Sequence, residues 1–462
     1  MNMILKPLVG VVLVAGLTAC SLAPTYKRPD LPVASQVGQL QQDQALDLHW
    51  QSFYKDPQLK ALIEIALKNN RDLRVALANA EQAAASYGIA FGSQLPSISG
   101  QGAYSNSGSR ASNSINRQAT LSLALSSFEI DLWGKLRNTS EAAFRTYLAS
   151  EETAKSTRIS IIGQLASTYY LWREVSELEK FSAQMVKARQ ITYDLVERQY
   201  RAGVADEQTL NQAKLSLASA QASQLSYELS KEQAKNALEL LLGQAMPADL
   251  PEAAPFSMDS LATLPKGLSS EVLLRRPDVM SAENALRAAN ANIGVARASF
   301  FPSISLTAAL GIASPALSSL FEGNNRTWSV TPSASLPIFA GGTIYNNVKA
   351  MQASKKAAVA TYEKAIQTAF QEVSDTLAGE ESYAKQLAVL NDQVKAAKRY
   401  ADIADVRYRS GTDTFLNVQT AQISYFQAQQ SLITAQYNAL SNRINLFKAI
   451  GGGWTNDDIK EN

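Results

Sequence analysis

The chain has 462 residues, 43 basic against 41 acidic side chains, and a net charge of +2, with a mean hydropathy of -0.13. So even a balance excludes the basic field of a nucleic-acid binder. One cysteine and one histidine leave no intrachain disulfide and no Cys/His metal cluster. Beyond residue 20, no apolar run reaches the ~18 residues of a spanning helix.

In chain order, the N-terminus carries the first signal. Lys6 precedes an apolar stretch over 8–17 that ends in Leu17-Thr18-Ala19-Cys20. A basic start, a short apolar core and a small residue before the cut describe an export signal over 1–19, too short to span. Leu-x-Ala-Cys resembles a bacterial lipobox, which makes Cys20 the acylated first residue of the mature chain. Ser21, where other lipoproteins carry Asp, resembles those sent on to the outer membrane. Acyl chains hold a protein to a surface without making it span. The N-terminal segment 20–68 follows, with the single histidine, His49, beside Trp50 as a local packing residue.

From residue 69 the chain is written twice. Asn69-Asn70-Arg71-Asp72-Leu73 lies against Arg275-Arg276-Pro277-Asp278-Val279, and Leu95-Pro96-Ser97-Ile98-Ser99 against Phe301-Pro302-Ser303-Ile304-Ser305. Gln199-Tyr200-Arg201-Ala202-Gly203 then meets Arg407-Tyr408-Arg409-Ser410-Gly411, and Leu242-Gly243 meets Ile450-Gly451. The first repeat covers 69–243 and the second 269–453, each far longer than a solenoid repeat. The join, 244–268, holds Pro247, Pro251, Pro255 and Pro265 and reads as an extended linker. A tail over 454–462 closes the chain.

Each repeat changes period along its length. The spacing predicts a helix over 71–90, a strand over 97–104 begun by Pro96, and a Ser/Asn/Gly loop over 105–116. Residues 120–133 alternate, with Leu121, Leu123 and Leu125 on one face and then Phe128, Ile130 and Leu132 after a slip near Ser126-Ser127, the mark of a bulge. The second hairpin reads as 303–311, a loop over 314–326, and 328–339. Helical runs follow over 137–200 and 345–408, then 207–242 and 414–450. Runs beyond ~25 residues indicate coiled coil, and a helix of about 60 residues spans roughly 90 Å. Heptads are explicit: Leu387, Leu390, Val394, Ala397, Ala401, Ala404, Tyr408, then Val418, Ala421, Tyr425, Ala428, Leu432. Their mates are Leu178, Phe181, Met185, Ala188, Thr192, Leu195, then Leu210, Ala213, Leu217 and Ala220.

Strand arithmetic points to an assembly. Four β segments near the ~9–11 residues of a tilted membrane strand cannot close alone, since the smallest such barrels have about eight. Open edges cannot face lipid. Two copies would close a barrel filled by its own side chains; three copies pool about twelve strands and leave a bore. An ordinary periplasmic coiled-coil rod is the plainer reading, but it explains neither the duplication nor the paired hairpins.

These residues together resemble the TolC family of outer membrane factors, in its OprM-like lipoprotein branch. The resemblance rests on Phe128-Glu129-Ile130-Asp131-Leu132-Trp133-Gly134, Leu274-Arg275-Arg276-Pro277-Asp278 and Ala298-Ser299-Phe300-Phe301-Pro302-Ser303-Ile304-Ser305-Leu306. Ala365-Ile366-Gln367-Thr368-Ala369-Phe370-Gln371-Glu372-Val373 and Lys448-Ala449-Ile450-Gly451-Gly452-Gly453-Trp454 complete it. It implies a mixed α+β membrane protein. This would be a homotrimer with a 12-stranded transmembrane β-barrel continuous with a long 12-helix periplasmic α-barrel. It further implies that the trimer docks onto a periplasmic membrane-fusion adaptor and an inner-membrane RND-type pump, with no cofactor beyond the covalent lipid on Cys20. The duct would export drugs and other small molecules; type I protein secretion and metal efflux use the same architecture.

The two helix turns are the expected docking tips: Arg201, Gly203 and Val204 in one, Arg409, Ser410, Gly411 and Thr412 in the other. By motif position Leu416 corresponds to a constricting residue that closes the periplasmic end. Relatives often carry aspartate at the position of Thr420, and some at that of Asn417; neither is present here. Any cation-binding ring is therefore absent or shifted to Asp413. No residues argue for catalysis: Glu129 and Asp131 read as lumen or rim charges, and Gly451-Gly452-Gly453 lacks the Lys-Ser/Thr of a phosphate loop.

Overall fold

The computed structural model describes residues 21–34, 36–38, 49–109, 114–264 and 267–452. The expected signal peptide 1–19, the lipidation residue Cys20 and the tail 454–462 lie outside the described residues. A short strand β1 (Gln36–Gly38) precedes helices α1 (Trp50–Phe53), α2 (Pro57–Asn69) and α3 (Arg71–Gly92). A hairpin of β2 (Ile98–Ser109) and β3 (Ser114–Glu129) follows, then α4 (Lys135–Arg201) and α5 (Glu207–Leu242). After β4 (Gly267–Ser269) the series recurs as α6 (Pro277–Ala298), β5 (Ser303–Ser314), β6 (Arg326–Ser335), α7 (Thr343–Arg409) and α8 (Phe415–Ala449). Paired elements match in length: α3 and α6 each have 22 residues, and α4 and α7 each have 67.

Local chemistry fixes the helix ends. Asp56 accepts from the amides of Gln58 and Leu59 ahead of Pro57 at the start of α2, the combination a helix N-terminus favours. Asn70 ends α2, and its Oδ1 accepts from Leu73 N at 3.0 Å to begin α3. Asp206 caps α5 through Thr209 N at 2.7 Å, and Gly243 closes that helix in the left-handed region.

The chain forms two compact units, and neither is a sequence half, because each draws segments from both repeats. One unit takes the described residues up to 30, with 78–152 and 280–364. It holds an antiparallel sheet in the order β2-β3-β5-β6, so β2 and β6 are its edges. Residues directly opposite share a face. Ile98, Gly100, Gly102 and Tyr104 oppose Leu125, Leu123, Leu121 and Ala119. On β5, Ala308, Leu310 and Ile312 continue that face from Leu125, Leu123 and Leu121, and on β6 Val330, Trp328 and Arg326 extend it. The opposite face runs Gln101–Ser122–Gly311–Thr327 and Ser99–Ala124–Ala309–Ser329. One face is thus aliphatic and aromatic, the other small and hydroxyl-bearing.

The slip expected near Ser126-Ser127 is a bulge. The register shifts between Leu125 and Phe128, so that three steps on β3 answer two on β5, and Ser127 takes φ 43°. The extra residue restores parity and brings Phe128, opposite Leu306, onto the same apolar face as Leu121, Leu123 and Leu125. Pro332 stands in β6, an edge strand, where its missing N–H is tolerated.

Strand ends differ from the expectation in both hairpins. The loop expected over 105–116 is mostly ladder, because β2 and β3 pair out to Ser109 and Ser114. The β2 residues there are small and polar on both sheet faces, and composition alone does not separate them from a loop. Conversely, β3 stops at Glu129 and β6 at Ser335, short of the expected 133 and 339. The loop over 314–326 carries a 3-10 turn, Leu317–Ser319.

The other unit takes 31–77, 153–279 and the described residues from 365. Phe53, Leu59, Leu62 and Ile63 are fully buried there with Leu165 and Tyr169 of α4, Leu238 and Leu242 of α5, and Leu440 and Ile444 of α8. Phe53 stacks on Phe447 at 4.0 Å. The segment expected as an extended linker is partly packed: a 3-10 turn spans Met258–Ser260, Leu261 is buried, and β4 pairs with β1. The α7 heptad faces α8, where Ala404, Val418 and Ala421 cluster with Ala401 and Tyr408. On α4 the buried set also takes in Ser182, Arg189 and Val196. A single seam does not include these, because α4 packs on two neighbours: Val196 meets Ala213 of α5 and Phe415 of α8.

Candidate functional site

The two helix turns are built alike. In the first, Gly203 N donates to Tyr200 O at 3.0 Å and Val204 N to Gln199 O at 2.8 Å. In the second, Gly411 N donates to Tyr408 O and Thr412 N to Arg407 O, both at 2.9 Å. This paired return to the last carbonyls needs a left-handed residue, and Gly203 and Gly411 sit at φ 77° and 73°. Tyr408 Oη donates to Gln199 Oε1 at 2.9 Å and joins one turn to the other.

Around this frame the expected docking residues stand in solvent. Arg201, Val204, Arg409, Ser410 and Thr412 are exposed, Val204 by 77%. Each arginine is held along its own helix, Arg201 by Glu197 at 2.9 Å and Arg409 by Asp405 at 2.9 Å. The Ser410 hydroxyl donates to Arg407 O at 2.9 Å. The turns therefore present arginines paired along their own helices, with Val204 as an exposed apolar side chain beside them.

The expected gate residues lie on one face of the first turns of α8. Phe415 and Val418 point inward, while Leu416, Asn417 and Thr420 are exposed, Leu416 by 59%. Thr420 Oγ1 donates to Leu416 O at 2.9 Å, so its hydroxyl is turned back to the helix. Asp413 accepts from Asn417 Nδ2 at 2.7 Å, Thr414 N at 2.8 Å and Arg407 Nε at 3.1 Å. The Asn417 amide first, and then the Thr414 amide and Arg407, hold its carboxyl below the usual carboxylate range. Asp413 thus ties Arg407 at the end of α7 to Asn417 in the first turn of α8, whereas Asp206 caps α5 through a helix amide.

The joint between sheet and long helix gives Glu129 and Asp131 local partners. Asp131 accepts from Lys135 N at 2.7 Å and Arg137 N at 2.9 Å, which makes it the cap of α4. Glu129 pairs with Lys135 at 3.3 Å. Trp133 Nε1 donates to Pro302 O at 2.8 Å, and its ring stacks on Phe301 at 4.7 Å. Two of the sequence motifs therefore meet here. Three others meet at Arg276, which donates to Ala449 O at 2.7 Å, Glu372 at 2.8 Å and Asp278 at 2.7 Å. In the first repeat Asn70 does the same with Leu241 O at 2.8 Å.

Sequence reasoning missed the packing of residues 21–30. Ser21 donates to Asn138 Oδ1 at 2.9 Å, Pro24 O accepts from Asn290, and Arg28 pairs with Glu283 of α6 at 2.8 Å. Extended chain has no period, so nothing in the sequence marks it. His49 is half-buried, and its carbonyl accepts from Ser52 and Phe53 to start α1.

The family model described as outer membrane efflux protein matches residues 62–244 and again 268–452. The antibiotic efflux pump outer membrane protein ArpC of Pseudomonas putida is 40% identical over 452 residues, covering 95% of this chain and 93% of its own. The cation efflux system protein CusC of Escherichia coli O157:H7 is 37% identical over 453 residues, covering 95% and 96%. In structure, the open-state MtrE outer membrane channel of Neisseria gonorrhoeae superposes with a TM-score of 0.87 at 36% identity, over 94% of this chain and 98% of that one. The chain belongs to the outer membrane efflux protein family.

Proposed function

We propose that the chain is a passive, gated exit duct of a tripartite efflux pump. In this reading Cys20 carries the lipid and three copies pool their strands into a 12-stranded barrel. The helix turns dock on a membrane-fusion adaptor and an inner-membrane RND-type pump, and drugs and other small molecules leave through the bore. One observation carries it: a sheet with an exposed apolar face, a hydroxyl-lined opposite face and two unpaired edges. Leu121, Leu123, Leu310 and Trp328 are exposed by 45%, 61%, 66% and 78%, a surface that water disfavours and lipid accepts. Open edges are not tolerated in lipid, so the sheet requires further copies. Kinship to an antibiotic efflux protein favours organic small molecules, and kinship to CusC keeps cation export as the second cargo.

Accumulation of a fluorescent efflux dye in cells lacking the chain tests the proposal. Dye should build up, and the intact chain should reverse it. No change in cells that normally express it would move metal export or protein secretion ahead. Within the same reading, Leu416 from each copy closes the bore by dewetting. Leu416→Ala should raise resting conductance in planar bilayers severalfold, and an unchanged resting conductance would remove Leu416 as the constriction.

A further inference from the structure

Among the described residues the four long strands carry three charges, Arg117, Glu129 and Arg326. Glu129 lies at the helix end. Both arginines lie at the turn end, and both belong to the apolar face. Arg326 opposes Ile312, and Arg117 follows by alternation from Ala119 and Leu121 on β3. Both are exposed, and neither has an ion-pair partner among the described residues.

Each arginine has an aromatic neighbour one step nearer mid-sheet on the same face. Trp328 lies two residues from Arg326. Tyr104 opposes Ala119, and Arg117 opposes Asn106, the next residue of β2 on that face. Trp328 is exposed by 78% and Tyr104 by 56%. Beyond them along the same strands come Val330 on β6 and Leu121 and Leu123 on β3, all exposed, while Leu310 lies level with Trp328 and Ile312 level with Arg326. Nearer the turns, Ile115 and, in the β5–β6 loop, Leu317 and Phe321 are exposed apolar residues outside the arginines. Along β6 and along the β2–β3 pair the order cation, aromatic, aliphatic is that of a membrane leaflet from headgroup to hydrocarbon, with aromatic rings at the interface. An arginine on a lipid-facing barrel surface is costly at the midplane and nearly free at the rim. The guanidinium fork matches a phosphate bidentately.

We propose that this rim is a docking surface for the phosphorylated headgroups of the outer-leaflet glycolipid. In it Arg117 and Arg326 hold phosphates while Tyr104 and Trp328 sit at the interface. The inference rests on the barrel reading above, in which the apolar face meets lipid. It makes the outer leaflet a partner of the duct as well as its solvent.

The test uses the detergent-solubilised full-length protein and native mass spectrometry, with diphosphoryl lipid A as probe. Retention should fall at least tenfold when both phosphates are removed from the probe. It should fall by a similar factor in the double variant Arg117→Gln, Arg326→Gln, with Arg→Lys at both positions intermediate. Retention that ignores the phosphates, a double variant that binds like the parent, or equal retention of phosphatidylglycerol would each overturn the assignment. Pore formation in planar bilayers, measured in parallel, separates the two levels. A protein that forms no pore even as Leu416→Ala refutes the duct itself, whereas pores from the Leu416→Ala protein with and without the two arginine changes, together with phosphate-independent retention, refute only the headgroup site.

Discussion

Replacing Arg276 by alanine probes the point where three separate motifs meet. The side chain is 7% exposed, and its two carboxylate partners are each 39% exposed. Removing one partner of a fully buried pair costs about 3–5 kcal/mol. Here the freed Asp278 and Glu372 regain water, so the ionic loss shrinks to roughly 1–2 kcal/mol. Ala449 O, at the end of α8, loses a charge-assisted donor, worth about 1 kcal/mol more. The sum, about 2–3 kcal/mol, is roughly a 30- to 150-fold change in the folded-to-unfolded ratio. Guanidinium-induced unfolding followed by far-ultraviolet circular dichroism, at fixed protein concentration in detergent, reads it. Arg276→Lys keeps the charge but not the three-way fork, and should recover about half of the loss. Asn70→Ala, the first-repeat counterpart, loses one bond to Leu241 O and the cap on Leu73, about 1–2 kcal/mol. An Arg276→Ala protein as stable as the parent, or a lysine variant with full stability, would refute the reasoning that the fork ties these motifs together.

Two further changes test the joints between the repeats and between sheet and helix. Glu174 of α4 is buried and accepts one hydrogen bond, from Thr434 of α8 at 2.8 Å, and burial raises its pKa. Folding therefore favours the protonated acid. Stability from this group is present below the ordinary carboxylate range and is lost as pH rises through the raised folded value. Glu174→Gln should be more stable than the parent at neutral pH and lose that advantage below about pH 4; a constant difference across pH would refute it. Asp131→Ala removes the acceptor of two first-turn amides of α4 and should cost about 1–2 kcal/mol. That loss should appear as a lower dissociation temperature of the oligomer in detergent, largely recovered in Asp131→Asn; an unchanged temperature would show that the joint does not depend on the cap.

The sequence by itself determined what repeats and what alternates. The recurrence of one element series in both repeats, the α5 limits 207 and 242, the glycine turns at 203 and 411 and the slip at Ser126-Ser127 all follow from local rules. These are caps, left-handed glycine, period and parity, and each acts within a few residues. Tertiary structure decided what such rules do not reach. Asp131 reads as a strand charge until the chain turns and sets its carboxylate over the first amides of α4. Residues 105–109 read as loop because serine, asparagine and glycine on both faces of a strand have no signature apart from the ladder that pairs them. Arg276, Glu372 and Ala449 are far apart in the chain, as are Trp133 and Pro302, and only folding brings them within hydrogen-bond reach. Leu416 was named by resemblance, and its exposure came from the packing of Phe415 and Val418, which leaves that face of α8 outward. The alternation of a strand shows that it has two faces; the register of all four strands decided that their apolar faces form one surface, because a one-residue shift would have turned every side chain over.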